Sequence, residues 1–339
     1  MVEHIEKIGV VGAGSWGSTL AHLLAEEGYA VDLWAYEPEL VEIIQHQHEN
    51  TIYLPGFQLS SHIHPSDSLE HVVKEKGLLV MAIPSHVYRS VAEKILEYLP
   101  DRMTILSVTK GIENDTLLTM SAVWRDILPP SNGIELATLA GPSFAVEVMQ
   151  KVPTAVTVAS HSLETARWLQ RIFHTHYFRA YSSRDEIGVE LAGAIKNVIA
   201  IAAGICDGLG FGHNARAALI TRGLSEISRL GLKMGADPLT FSGLSGMGDL
   251  VLTCTGDLSR NRTVGLKLGQ GKGLKEILDE MRMVAEGVKT TKSVYQLSQR
   301  EQTDMPISKN VYEILYQGKP CLSAVQELMT RSLKDELEV

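Results

Sequence analysis

Cysteine is scarce in this chain of 339 residues: Cys206, Cys254 and Cys321 lie far apart and form no CxxC pair. That spacing speaks against a disulfide framework or a zinc site and agrees with a reducing cytoplasm. Positive charge is in deficit, with 31 lysines and arginines against 40 aspartates and glutamates and a formal net charge of -9. Such a balance argues against a broad nucleic-acid surface, while leaving room for a local basic pocket around an anionic metabolite. Long apolar runs are missing as well. The longest suspect stretch, Val198 to Cys206, is far short of the roughly 20 residues that a membrane span needs. Glu3, Glu6 and Lys7 interrupt the N-terminus before any apolar run develops, so no signal peptide is expected. No low-complexity tract or internal repeat is evident. His46, His48, His62 and His64 are close in sequence, but without acids at ligand spacing they read as a solvated loop, and no metal is expected.

What is present is an ordinary globular composition, 45% hydrophobic and 21% charged, on a chain long enough for two domains. Its most informative stretch is Ile8-Gly9-Val10-Val11 running into Gly12-Ala13-Gly14-Ser15-Trp16-Gly17. An apolar strand, a glycine turn and a helix in that order let the backbone approach a pyrophosphate at a helix N-terminus. Glu37 follows Gly17 by about 20 residues, where an acid that binds a ribose is expected.

Up to about residue 185, unbroken apolar segments alternate with helical ones. Strands are expected near 31–36, 77–83, 103–108, 135–140, 154–159 and 177–181. Helices are expected from Ser18, over Pro38–His46, up to Tyr98, and over Leu117–Leu128 and Leu163–Phe173. Residues 50–66 read as a loop with short extended pieces. The pattern indicates a doubly wound, mostly parallel sheet of the Rossmann type, with ligands beyond the carboxyl ends of its strands. Gly12–Gly17, Pro84-Ser85, Lys110-Gly111 and Gly141–Ser143 all fall at such ends. From 186 to 339 the periodicity is helical, so the expected domains are 1–185 and 186–339.

Three features of the second half carry chemistry. Lys196, among apolar neighbours, reads either as a desolvated general base or as a surface lysine whose head reaches water. Asp249, after the glycine-dense Gly243–Gly248, either orients a lysine or caps the following helix. Ser259-Arg260-Asn261-Arg262 reads as a capped helix start that binds a phosphate, or as arginines on a solvated face. Asn214, Arg216 and Arg222 are compatible with structural or cleft-lining roles.

Gly12–Gly17, Gly141-Pro142-Ser143-Phe144-Ala145, Lys196-Asn197-Val198, Gly243–Asp249 and Ser259–Arg262 together resemble the bacterial glycerol-3-phosphate dehydrogenases, in family order, to about residue 330. The resemblance implies a Rossmann domain and a helical domain like the C-terminal one of 6-phosphogluconate dehydrogenase. It also implies interconversion of sn-glycerol 3-phosphate and dihydroxyacetone phosphate with NAD or NADP, feeding glycerophospholipid synthesis in a cytoplasmic homodimer. Carried over by motif, Lys196 is the proton acceptor, its pKa depressed by Lys110 and Arg260. Lys110, Gly141, Ser143, Asp249, Ser259, Arg260 and Asn261 are the implied substrate contacts. Gly12, Gly14, Ser15, Trp16, Gly17, Tyr36, Glu37, Lys110, Ala145, Arg260, Val284 and Glu286 are the implied cofactor contacts. Tyr36-Glu37 departs from the basic residue or histidine often found there, which pushes toward NAD, since a carboxylate repels a 2′-phosphate. The rival readings are a related hydroxy-acid dehydrogenase and a nucleotide sensor without catalysis.

Overall fold

A computed structural model of the chain describes residues 7–130, 133–281, 284–333 and 335–336. Backbone contacts divide it into two compact units, one of residues up to 110 and 118–186, the other of residues 111–117 and from 187 onward.

Among its described residues the first unit has ten strands: β1 Lys7–Val11, β2 Ala30–Trp34, β3 Glu49–Asn50, β4 Leu54–Gln58, β5 Ile63–Ser66, β6 Leu78–Met81, β7 Arg102–Ser107, β8 Gly133–Ala140, β9 Thr154–Ala159 and β10 Phe178–Ser183. Eight form one sheet in the order β10-β9-β8-β7-β6-β1-β2-β5, and β3 and β4 make a separate antiparallel pair. Every pairing in the large sheet is parallel except β8 with β9, so the last two strands run against the others. Apolar cores cover both faces. Ile8 and Val10 of β1 and Val31 and Leu33 of β2 enter one, while Val11, Leu79, Met81 and Ile105 enter the other. Burial on both sides explains why these strands read as continuous apolar runs.

Two elements depart from the expectations. β5 pairs with β2 at the sheet edge, in a stretch that reads as loop because His64 and Pro65 break its apolar pattern. An edge position tolerates that proline, which has no N–H to give to a ladder. Helix Leu69–Val73 follows, capped by Ser68, whose hydroxyl accepts from the His71 N–H at 3.3 Å. It lies over Gly9, where a Cβ would overlap the Val72 carbonyl oxygen.

The second unit contains helices and no strand among its described residues. Its axis is helix Glu186–Gly208, long and apolar enough to cross a membrane by length and composition, yet fully buried in its most apolar window. Around it pack helices His213–Lys233, Asp249–Thr255, Arg260–Gly269, Glu286–Arg300, Pro306–Gln317 and Cys321–Met329. The short segment 111–117 joins this core through buried Ile112, whose carbonyl accepts from the Ser293 hydroxyl at 3.1 Å.

Helix Arg260–Gly269 lies against the axial helix backbone to backbone. A Cβ on Gly204 would strike the Arg262 carbonyl, and one on Gly265 the Ile201 carbonyl. Gly208 and Gly269 face each other in the same way, each with the other's Cα at 2.9 Å from its built Cβ. Gly204→Ala should therefore lower stability by about 1–3 kcal/mol, the usual cost of forcing atoms into a packed site. Gly273→Ser, at an open helix N-cap, should be neutral or stabilising. Chemical denaturation of both variants checks this, and an unchanged Gly204→Ala midpoint would contradict it.

Candidate active site

The residues singled out by sequence fall into two sets, one in each unit. In the first unit, the turn after β1 leads directly into helix Ser15–Glu26. Gly12 has φ +116°, a left-handed conformation, and Gly17 packs so closely on the Gly12 carbonyl that no Cβ fits. Gly14, the N-cap, has no heavy atom within 4 Å of where a Cβ would stand, and no side chain caps the helix. The first-turn N–H groups have no intrahelical acceptor and stand at the positive end of the helix. Ser15 and Trp16 are half-buried on this turn.

Asn50 braces the turn from beneath and was not evident from the sequence. It is fully buried, and its Nδ2 donates to the Ala13 carbonyl and to the Ser18 Oγ, both at 2.8 Å. Nothing in its local pattern signals this, because its partners lie 37 and 32 residues away.

At the end of β2, Tyr36 is 78% exposed and Glu37 is half-buried. The Tyr53 hydroxyl donates to Glu37 Oε1 at 2.8 Å, which fixes the carboxylate. Burial, then the bond to Glu37, raises the Tyr53 pKa, so the phenol stays a donor.

Three further candidates meet beyond the ends of β7 and β8. The Gly141 carbonyl accepts from Lys110 Nζ at 3.2 Å and from Ser143 Oγ at 3.0 Å. Gly141 has φ +152° and stands against Val156, leaving no room for a side chain. Thr109 Oγ1 donates to the Ile83 carbonyl at 2.7 Å, tying the loop before Lys110 to the end of the β6 segment. Ala145 opens the short helix Ala145–Met149.

In the second unit the centre is a buried ion pair. Lys196 Nζ donates to Asp249 Oδ1 and to Thr253 Oγ1, each at 2.7 Å. All three side chains are buried. The Thr253 hydroxyl in turn donates to the Asp249 main-chain carbonyl at 2.6 Å, so its lone pairs are left to face the ammonium. Lys196 does not reach out to solvent, and Asp249 does not cap its own helix, whose N-cap is Gly248. Of the two readings of Asp249, the contact with a lysine is the one seen, and this carboxylate works against the depression of the Lys196 pKa expected from Lys110 and Arg260, because it stabilises the ammonium. Thr253 was missed, although its place four residues after Asp249 puts both on one helix face. The π-turn Leu244–Gly248 delivers Asp249, and a Cβ on Gly246 would overlap the Phe241 carbonyl.

Helix Arg260–Gly269 begins with Ser259 as its cap, the hydroxyl accepting from the Arg262 N–H at 3.3 Å. Asn261 is buried: its Nδ2 donates to Asn197 Oδ1 at 3.0 Å and its Oδ1 accepts from the Gly287 N–H at 2.9 Å. Arg260 is exposed, with Glu286 acting on it electrostatically, and its guanidinium stays charged. Glu286 opens helix Glu286–Arg300, and Val284 just before it is 42% exposed. Arg216 and Arg262 both pair with Asp207, through Nε contacts of 2.9 and 2.8 Å. Arg222 donates to the Glu336 carbonyl at 3.3 Å, and Asn214 is exposed on the first turn of its helix. Among the described residues no cluster of three or more histidine, cysteine or acidic side chains has the geometry of a metal site.

A doubly wound sheet with a glycine turn, followed by an all-helical unit, is the architecture of the two-domain dinucleotide-dependent dehydrogenases. Residues 7–166 match the family model described as NAD-dependent glycerol-3-phosphate dehydrogenase N-terminus, and residues 185–326 match that of the C-terminus. The glycerol-3-phosphate dehydrogenase [NAD(P)+] of Syntrophobacter fumaroxidans is 58% identical over 332 residues, covering 98% of each chain. That of Myxococcus xanthus is 51% identical over 328 residues, covering 97% of this chain and 98% of the other. The crystal structure of glycerol-3-phosphate dehydrogenase from Coxiella burnetii superposes with a TM-score of 0.92 at 38% identity, covering 98% of this chain and all of that one. The chain belongs to the NAD-dependent glycerol-3-phosphate dehydrogenase family, and it is an oxidoreductase.

The first unit fits a dinucleotide: the left-handed turn at Gly12, the uncapped helix start and the open space beside Gly14 leave a backbone cradle for a pyrophosphate. Asn50→Ala, which removes the brace under that cradle, should weaken NADH binding about tenfold. It leaves the lysine–carboxylate pair of the second unit in place. Fluorescence titration with NADH reads the effect, and an unchanged Kd would count against the brace.

Proposed function

We propose that the protein interconverts sn-glycerol 3-phosphate and dihydroxyacetone phosphate, with Lys196 moving the proton. The observation that carries this reading is the buried contact of Lys196 with Asp249 and Thr253. When bound, the nicotinamide supplies or accepts the hydride at C2 of the substrate. In the reducing direction the ketone oxygen becomes an alkoxide as hydride arrives, and Lys196, as the ammonium, polarises that oxygen and protonates it. In the oxidising direction neutral Lys196 takes the proton of the C2 hydroxyl. Asp249 favours the ammonium, the form that reduction uses, so the pair suits production of glycerol 3-phosphate.

The phosphate of the substrate goes to Arg260 and the N-terminus of its helix, with Ser259 and the remaining amide proton of Asn261 as further donors. Lys110, Gly141 and Ser143 complete the substrate contacts, and Lys110 and Arg260 serve the cofactor too. Gly12, Gly14, Ser15, Trp16, Gly17, Tyr36, Glu37, Ala145, Val284 and Glu286 are assigned to the cofactor. Glu37 favours NAD, because a carboxylate held by Tyr53 accepts from a ribose diol and repels a 2′-phosphate. The product serves glycerophospholipid synthesis in the cytoplasm, and the enzyme works as a homodimer. The sequence division at 185 is kept as the functional one, with most cofactor contacts assigned to residues 1–185, and proton transfer, together with the cofactor contacts Arg260, Val284 and Glu286, to 186–339.

Steady-state oxidation of NADH and NADPH with dihydroxyacetone phosphate tests the whole reading. Turnover with NADH is expected; a tenfold or greater preference for NADPH would refute the role given to Glu37, and no turnover with either would refute the activity. Lys196→Ala should reduce kcat by at least 100-fold, in keeping with the worth of a general acid or base, and leave the Kd for NADH within about twofold. A variant that kept more than a tenth of the wild-type kcat would remove Lys196 from the chemistry.

A further inference from the structure

Asp207 lies about three turns beyond Lys196 on the same helix, near its C-terminal end, and has no part in the mechanism above. Its side chain is buried and both carboxylate oxygens are engaged. Oδ1 accepts from Arg216 Nε at 2.9 Å and Oδ2 from Arg262 Nε at 2.8 Å. The two arginines differ in where they sit. Arg216 belongs to helix His213–Lys233, whereas Arg262 stands in the first turn of Arg260–Gly269, two residues after Arg260.

Arg262 is thereby held twice. Its N–H is bonded to the Ser259 hydroxyl, and its guanidinium is bonded to Asp207. Its other contact, with Asp257, reaches a carboxylate that is almost wholly exposed, which solvent weakens. Asn261 is fixed separately by Asn197 and Gly287. The backbone of Arg260 is thus bracketed between the cap Ser259 and two anchored residues. Its guanidinium enters no hydrogen bond or ion pair among the described residues.

We infer that Asp207 is a positioning residue for the substrate phosphate: through Arg262 it fixes the helix start that presents Arg260. The inference rests on the reading that Arg260 holds that phosphate. A carboxylate suits the task because a charged, forked contact has a narrow geometry, and a small misplacement of a phosphate donor weakens binding strongly.

The test compares Asp207→Asn, Arg262→Gln, Arg216→Gln and Arg260→Ala in the full-length enzyme. It measures kcat, KM for dihydroxyacetone phosphate, KM for NADH, competitive inhibition by inorganic phosphate, and Tm. Asp207→Asn and Arg262→Gln should raise KM for dihydroxyacetone phosphate about tenfold and weaken inhibition by phosphate in parallel. KM for NADH should stay within about twofold and kcat should fall less than KM rises. Arg216→Gln shares the same carboxylate but not the site helix, so it should lower Tm without moving either phosphate readout. A fall in Tm with an unchanged KM in Asp207→Asn and Arg262→Gln would overturn the inference, as would an equal KM rise in Arg216→Gln. Should Asp207→Asn fail to fold, Arg262→Gln against Arg216→Gln decides. Arg260→Ala separates the two levels: if it leaves KM and phosphate inhibition unchanged, the phosphate reading itself fails. If it raises both while Arg262→Gln does not, only the role of Asp207 fails.

Discussion

Where the helix carrying Lys196 meets helix Arg260–Gly269, four glycines remove the side chains that would hold the two apart. Helices normally pack with axes about 8–10 Å apart, at a distance set by the residues between them. With Gly204, Gly208, Gly265 and Gly269 at the contact, main-chain atoms meet directly, and the separation no longer depends on rotamers. The Asn197–Asn261 hydrogen bond spans the same pair of helices. The helix bearing Lys196 and the helix start assigned to the phosphate therefore share a rigid frame. Asp249 and Thr253 then need only reach Lys196 from one short helix.

Charge in the second unit is arranged by subtraction. Ser259–Arg262 offers two arginines in sequence, but Arg262 is occupied by Asp207 and Asp257. What remains outward is the single charge of Arg260. The buried Lys196–Asp249 pair follows another logic. Two ions taken out of water lose most of what their attraction returns, so such a pair is weak evidence for stability. Its presence in a core of alanine, isoleucine and valine fits the proton-transfer role proposed for Lys196, in which a poised ammonium is worth more than a tighter core.

Much of this arrangement was legible beforehand. Strand ends carrying Gly12–Gly17, Lys110 and Gly141–Ser143 announce themselves, because buried parallel strands are continuous apolar runs cut by glycine, proline or charge. Helix spacing likewise revealed the element that bears Lys196. What escaped was decided at long range. Asn50 looks like any loop asparagine until the glycine turn is folded above it. Pro65 disguised β5, since a residue forbidden in a central strand is harmless at an edge. Arg216 could be assigned no role because its partner Asp207 sits on another helix. The four glycines were visible at spacings of four, but only the second helix shows why both pairs are needed.

Residues 111–117 interrupt the first unit yet belong to the core of the second. The Ser293 hydroxyl that bonds the Ile112 carbonyl is 181 residues further along the chain. On a ribosome, this strip emerges long before the helix that will cover it. The first unit can close its sheet around the gap, while Ile112 waits for more than half of the polypeptide to be made. Chains released early, before Glu286–Arg300 is synthesised, would leave the Ile112 side chain without part of the core that buries it. Such fragments are the sort that chaperones hold and proteases find.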